Sequence, residues 1–244
     1  MPSPQRIERF RLKSGERITE KYEVVELLGA GWEGEVYLVK ELRTNVARTA
    51  KLFFPHRNPG DRTLKAYARK LHKLRQCPIV IQYHSLEYIH YKGRRISVLI
   101  SEYVEGQLLS VFLKQQKGGK MSPFQAIHLL HSLAKGLESI HAAKEYHGDL
   151  HPENIIVQRF GLGFELKVLD MFNWGAASGE NYRHDICSLI RLFYDVLGGQ
   201  PTYARQPKVV KLICCGLKRS LITKKFRNVS QLRSYIETME WTKC

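Results

Sequence analysis

His147-Gly148-Asp149-Leu150-His151-Pro152-Glu153-Asn154-Ile155-Ile156-Val157 sets a carboxylate and a side-chain amide in a short turn that runs straight into an apolar strand. Pro152 restricts the backbone of the turn, and Ile155, Ile156 and Val157 have the branched apolar character of a strand. A turn of this kind lets Asp149 and Asn154 face one reaction centre from two sides. An Asp and an Asn beside a proline also make an ordinary turn closed by side-chain-to-backbone hydrogen bonds, so the rest of the chain has to decide between the two.

The next carboxylate in order is Asp170, which ends the run Leu166-Lys167-Val168-Leu169. Phosphoryl transfer uses this equipment: a carboxylate to orient the attacking hydroxyl, and oxygen ligands such as an amide and a second carboxylate for a divalent ion. The order His-x-Asp-x-x-x-x-Asn, apolar strand, Asp resembles the catalytic core of the protein kinase superfamily.

Upstream, Tyr22-Glu23-Val24-Val25-Glu26-Leu27-Leu28 reads as a strand, Gly29-Ala30-Gly31-Trp32-Glu33-Gly34 follows, and Glu35-Val36-Tyr37-Leu38-Val39 alternates as a second strand. Glycines without side-chain bulk let backbone N–H groups approach phosphates, and Val36 would cover a base. The same glycine spacing opens a helix in dinucleotide-binding folds. Here Val36, Tyr37 and Val39 continue a strand, so the match is to the kinase glycine-rich loop. A third strand over residues 46–54 carries Lys51 between Ala50 and Leu52, and a lysine in such surroundings needs an anion.

Residues 61–76 have Leu64, Ala68, Leu71 and Leu74 at helical spacing, in the place of the kinase C helix. That helix ordinarily carries a Glu to hold the strand lysine. Here the aligned turn has Tyr67 and Ala68, and Asp61 at the start is the segment's one acidic residue. Lys51 is then to be held by Asp170, by Glu33, or by nucleotide alone. Residues 79–90 and 96–104 read as a strand pair, ending in a stretch that resembles the kinase hinge: Glu102 and Val104 would read the adenine edge, with Ser101 as a small gatekeeper. Residues 108–116 form a short helix. Ser122-Pro123 then opens a long one, through Ala126, Leu129, Leu130, Leu133, Leu137 and Ile140.

Past Asp170 the chain reads Met171-Phe172-Asn173-Trp174-Gly175, where kinases have Phe-Gly directly after the Asp. The stretch from Asp185 to Gly199 resembles the kinase F helix, so residues 171–184 are all that stand in place of an activation loop. Gly148 stands where an Arg would answer a phosphorylated loop. Both departures imply that no activation-loop phosphorylation switch exists. Residues 208–243 read as two helices, the second over 230–241.

The chain has 244 residues, with 43% hydrophobic and 25% charged, the balance of a folded protein. The five cysteines are odd in number and lack metal-binding spacing, which argues against a disulfide framework and points to reduced thiols. The first residues carry charges where a signal peptide would need an apolar run, and no apolar run is long enough to span a bilayer, so a cytoplasmic protein is expected. Lys and Arg number 39 against 23 Asp and Glu, a net +16 that would attract an acidic partner or nucleic acid.

The resemblance implies an α+β, bilobal protein-kinase-like fold with a small antiparallel-sheet N-lobe bearing one helix and a mainly helical C-lobe. Residues 1–21 are expected as a basic extension, 22–104 as N-lobe and hinge, and 105–244 as C-lobe. It implies ATP and Mg²⁺ as cofactors. Asp149 would be the catalytic carboxylate, with Lys51 and His151 beside it in the chemistry. Gly29, Gly31, Gly34, Val36, Lys51, Glu102, Val104 and Ile156 would bind the nucleotide, and Asn154 and Asp170 the metal. The glycine hairpin and the F-helix run resemble bacterial relatives of eukaryotic Ser/Thr kinases, which act on protein hydroxyls. His-Gly-Asp-Leu-His resembles aminoglycoside and choline phosphotransferases, which act on small molecules. The missing helix Glu leaves a third possibility, a nucleotide-binding pseudokinase.

Overall fold

The hairpin β1 (Tyr22–Ala30) and β2 (Gly34–Glu41) begins a five-stranded antiparallel sheet of order β1-β2-β3-β5-β4, completed by β3 (Ala47–Phe53), β4 (Tyr83–Tyr91) and β5 (Arg94–Glu102). This computed structural model describes residues 6–160, 163–171 and 175–240. Strand alternation divides the sheet's faces. Tyr37, Val39, Ala50, Leu52, Val98 and Ile100 form one buried cluster, while Val36, Lys51 and Leu99 pair across β2, β3 and β5 on the opposite face. Helix α1 (Arg62–Lys73) packs on β4 and β5 and buries Leu64, Tyr67 and Leu71. These strands, α1 and the described chain before them make one compact unit, ending at Val104.

That unit reaches further toward the N-terminus than the sequence suggests. Ile7, Phe10 and Ile18 are buried in the same cluster as Tyr37 and Leu52, so the described part of the basic extension covers one face of the sheet. The backbone N–H of Phe10 donates to Glu35 Oε2 at 3.1 Å, and the Tyr37 hydroxyl donates to the same oxygen. Ile7, Phe10, Leu12 and Ile18 carry this packing over about a dozen positions, too irregularly spaced to show a period.

The second unit comprises Gln76–Val80 and the chain from Glu105 onward. The expected strand over 79–90 is therefore divided: Val80 bridges Val168 in parallel, and β4 starts only at Tyr83. A small sheet, β6 (Gln107–Leu108), β7 (Ile155–Phe160) and β8 (Gly163–Val168), lies beside α2 (Leu109–Gln115) and α3 (Pro123–Ala142). Ser122 and Gln125 form a capping box at the start of α3, whose apolar stripe from Ala126 to Ile140 is buried. Helix α4 (Gly179–Val196) begins six residues before the Asp185 expected to open it, because Ser178 and Asn181 form a second capping box. Then follow α5 (Gln200–Tyr203), α6 (Lys208–Cys214), α7 (Arg219–Lys225) and α8 (Val229–Thr238).

The first of the two helices expected in the tail is thus two. Cys215, Gly216 and Leu217 all take positive φ and break it. Phe172, Asn173 and Trp174, where the order after Asp170 departs from the kinase pattern, lie outside the described residues, as does Trp241. The small antiparallel sheet with one helix and the mainly helical remainder are the kinase-like fold expected.

Candidate active site

In the first unit the glycine loop closes with the Gly31 N–H donating to the Gly34 carbonyl at 2.9 Å. Gly34 faces Phe53 across the ladder, and a Cβ there would stand 1.9 Å from the Leu52 carbonyl oxygen, so only a residue without one fits. Gly29 and Gly31 meet nothing within 4 Å on their side-chain sides. Their backbone is accessible to a ligand, the property a phosphate-covering loop needs.

Lys51 lies opposite Val36 in register, so the two side chains share a face. The lysine is 9% exposed, and its Nζ is 3.2 Å from Glu33 Oε2. The rings of Phe53 and Tyr67 stand 5.4 and 5.5 Å from the same nitrogen. Further along, Ser101 is buried opposite Thr49, whose hydroxyl donates to the Glu102 carbonyl at 3.1 Å. The Glu102 side chain accepts the Gln82 N–H at 3.0 Å, fixing the strand end that precedes Val104.

In the second unit the loop after α3 is fastened by a fully buried carboxylate. Asp185 of α4 accepts the N–H groups of His147 and Gly148 at 2.8 and 2.7 Å, and its Oδ2 lies 2.9 Å from His141 Nε2. Gly148 has φ 84°, a left-handed conformation in which glycine is at ease. His147 Nδ1 accepts the Asp149 N–H at 3.2 Å, so Nε2 carries the ring proton and donates to the Leu169 carbonyl at 3.0 Å. Sequence reading missed His141 and this network, whose partners stand 38 and 44 residues apart.

The result is an Asp149 carboxylate 64% exposed on an anchored backbone. Asn154, 7% exposed, donates from Nδ2 to the Asp149 carbonyl at 3.0 Å, and Asp149 Oδ2 lies 3.4 Å away. His151 Nε2 stands 2.8 Å from Asn154 Nδ2 and 3.4 Å from Asp149 Oδ2. The loop thus brings Asp149, His151 and Asn154 together. The Leu169 N–H donates to the Asn154 carbonyl at 2.8 Å, which sets Asp170, at φ 54°, one residue beyond the base of the β7–β8 hairpin. Ile156 is half-buried in β7, opposite Lys167.

With Nδ2 of Asn154 turned inward, its amide oxygen remains as a hard ligand, and Asp170 offers a carboxylate. That donor chemistry suits Mg²⁺. Among the described residues no three His, Cys, Asp or Glu side chains group closely enough to hold a metal, so such an ion would draw further ligands from phosphate and water.

The sequence pattern of the protein kinase domain matches residues 22–225. The chain belongs to the protein kinase domain family. Serine/threonine-protein kinase PrkC of Bacillus subtilis is 22% identical over 70% of this chain, and serine/threonine-protein kinase PknG of Mycolicibacterium smegmatis is 26% identical over 82% of it. The chain spans 25% and 24% of the lengths of these two relatives. The crystal structure of the Mycobacterium tuberculosis PknI kinase domain, a double mutant, shares the fold with a TM-score of 0.67 and 17% identity, covering 93% of this chain and 97% of that one. No helix among the described residues of the kinase chain is long and apolar enough to cross a membrane.

Proposed function

We propose that the chain is an ATP-dependent Ser/Thr protein kinase that transfers the γ-phosphoryl group without activation-loop control. The observation that carries this reading is the Asp149 carboxylate, exposed to an acceptor while Asp185 and His147 fix its backbone. A carboxylate so held orients the attacking hydroxyl and takes its proton as the new P–O bond forms and the bond to the leaving ADP oxygen breaks. Lys51 and the loop Gly29, Gly31 and Gly34 hold phosphate oxygens. Val36 of the first unit and Ile156 of the second are each assigned to contact with adenine, and the backbone at Glu102 and Val104 to reading its edge. Asn154 and Asp170 would hold Mg²⁺, which when bound would neutralise charge on the phosphates.

Eight residues, 171–178, separate Asp170 from α4, and Gly148 offers no guanidinium to a phosphorylated loop. Both support constitutive rather than switched activity. The names of PrkC and PknG support serine or threonine as acceptor. A second reading, a small-molecule kinase, is favoured by His151, which stands 3.4 Å from Asp149 Oδ2 where Ser/Thr kinases carry a lysine.

Radiolabelled ATP offered with generic protein substrates and with hydroxylated small molecules separates the two readings. Asp149→Asn is expected to abolish transfer while leaving ATP-induced thermal stabilisation nearly intact. Undiminished transfer by Asp149→Asn would remove the assignment, and a wild type that neither binds nor turns over ATP would remove the enzyme altogether.

A further inference from the structure

A lysine withdrawn from water needs a compensating negative charge close by. Lys51 has 11% of its side chain exposed, and α1, the helix packed on its sheet, contains no Asp or Glu. Asp61, just before α1, is engaged by the Ser97 hydroxyl and by Asn58 Nδ2. What α1 presents to Lys51 is the ring of Tyr67, 3% exposed, its centre 5.5 Å from Nζ. An aromatic face attracts an ammonium but supplies no full charge.

The glycine loop does bring a carboxylate to Lys51. Glu33 Oε2 lies 3.2 Å from Lys51 Nζ, and its side chain is 12% exposed, as withdrawn as the lysine it meets. Its backbone is fixed, because the Glu33 carbonyl accepts the Phe54 N–H at 2.8 Å and the next residue, Gly34, is pressed against Leu52. A loop residue tied in this way to the end of β3 stands at a set distance from a lysine in the middle of β3.

We infer that Glu33 is the positioning residue for Lys51, a carboxylate supplied by the glycine loop while Tyr67 occupies the helix side. The inference deepens the proposed function and rests on it for the role of Lys51 in phosphoryl transfer. Two consequences follow from the geometry. Lys51 is aimed before nucleotide arrives, and displacement of the loop displaces the lysine with it. Glu33 acts through Lys51 and touches no reacting atom.

The test uses the full chain with Glu33→Gln, which keeps the shape and removes the charge, Glu33→Asp, which keeps the charge, and Glu33→Gln combined with Tyr67→Glu, which moves the charge to α1. Loss of an interaction that aims Lys51 in the transition state is expected to lower kcat about tenfold or more in Glu33→Gln, with the ATP KM changed less than about threefold. Glu33→Asp and the double variant are expected to recover part of kcat. Trace acetylation with acetic anhydride, read on the Lys51 peptide by mass spectrometry, is expected to run several-fold faster in Glu33→Gln than in wild type, and slower again in the double variant. An unchanged kcat in Glu33→Gln, or tighter ATP binding with kcat retained, would overturn the inference by making Glu33 a mere competitor for the lysine. The acetylation arm needs no turnover. A wild type without kinase activity would therefore defeat the proposed function alone, while equal acetylation of Lys51 with and without the Glu33 charge would defeat the inference alone.

Discussion

The Asp185 carboxylate accepts the backbone N–H of Gly148 at 2.7 Å, and through this contact α4 holds the loop that carries Asp149. The same carboxylate takes the N–H of His147 and meets His141, and none of it reaches solvent. Removing it orphans the N–H of buried His147 and that of half-buried Gly148, at about 1–3 kcal/mol each. Asp185→Ala is expected to lower unfolding free energy in urea by about 2–6 kcal/mol, the sum for the two groups left unsatisfied. Asp185→Asn turns an N–H donor toward the donors of the loop and is expected to lose turnover even where the fold survives. Wild-type stability and turnover in Asp185→Ala would show that the loop is held by something else.

Gly34 separates a structural glycine from two that face open space. An alanine Cβ there would be 1.9 Å from the Leu52 oxygen and 3.1 Å from the Phe53 Cα, both backbone atoms that move only with the strand. Gly34→Ala is expected to destabilise by about 1–3 kcal/mol or more, the range for overpacking against a fixed neighbour. Gly29→Ala and Gly31→Ala, with nothing within 4 Å, are expected to stay within about 0.5 kcal/mol of wild type in the same denaturation experiment. A Gly34→Ala midpoint indistinguishable from that of Gly29→Ala would contradict the strand contact.

What could be read from the sequence divides by the distance over which each feature is encoded. The turn from His147 to Asn154 is local, so residue order alone suffices to set Asp149, His151 and Asn154 in one loop. The alternation in β2 and β3 likewise puts Val36 and Lys51 on one face. The partner of Lys51 was another matter. Asp170, Glu33 and nucleotide were equally compatible with the order of residues, and the 3.2 Å approach of Glu33 to Lys51 depends on the path of the glycine loop, which that order does not encode. His141 and Asp185 meet across 44 residues, a contact no local pattern encodes. The start of α4 was legible and overlooked, since Ser178 and Asn181 stand at capping-box spacing. The break after Cys214 was not legible, because Cys215 and Leu217 adopt a left-handed backbone that their side chains do not favour.

Phe10 shows how a segment that reads as a polar extension becomes core. Its ring stacks on Phe54 at 5.4 Å and meets Tyr91 edge-on at 5.4 Å, and its carbonyl accepts the Tyr91 hydroxyl. Glu35 holds its N–H, and burial raises the Tyr37 hydroxyl above its ordinary ionisation range, with the Glu35 hydrogen bond adding to the rise. Phe10→Ala is expected to cost about 3–5 kcal/mol, the usual penalty for emptying a buried aromatic site. Deleting residues 1–21 uncovers Tyr37, Val39 and Leu52 on the sheet and is expected to increase binding of a hydrophobic dye and aggregation. A truncated chain as stable and as dye-silent as the full one would mean that the segment merely rests on the surface.

His84 gives the fold a dependence on acid. It occupies the irregularity in β4 between the pairings of Tyr83 and Ser85. Burial lowers its ionisation from the ordinary value of 6.5, the Arg48 guanidinium lowers it further, and Glu102 and Glu41 oppose the shift. A histidine whose folded value is depressed is protonated first in the unfolded chain. Stability from its neutral form is therefore complete above the unfolded value near 6.5 and declines as pH falls through that value toward the folded one. His56, lowered by burial and by Arg6 and Arg57, acts in the same direction. Urea midpoints are expected to fall between pH 7.5 and pH 5.5, on the order of the two-unit window over which such a group titrates, and to fall less in His84→Gln. Identical declines in wild type and His84→Gln would place the acid sensitivity elsewhere, and a rise in stability on acidification would reverse the sign of the shift itself.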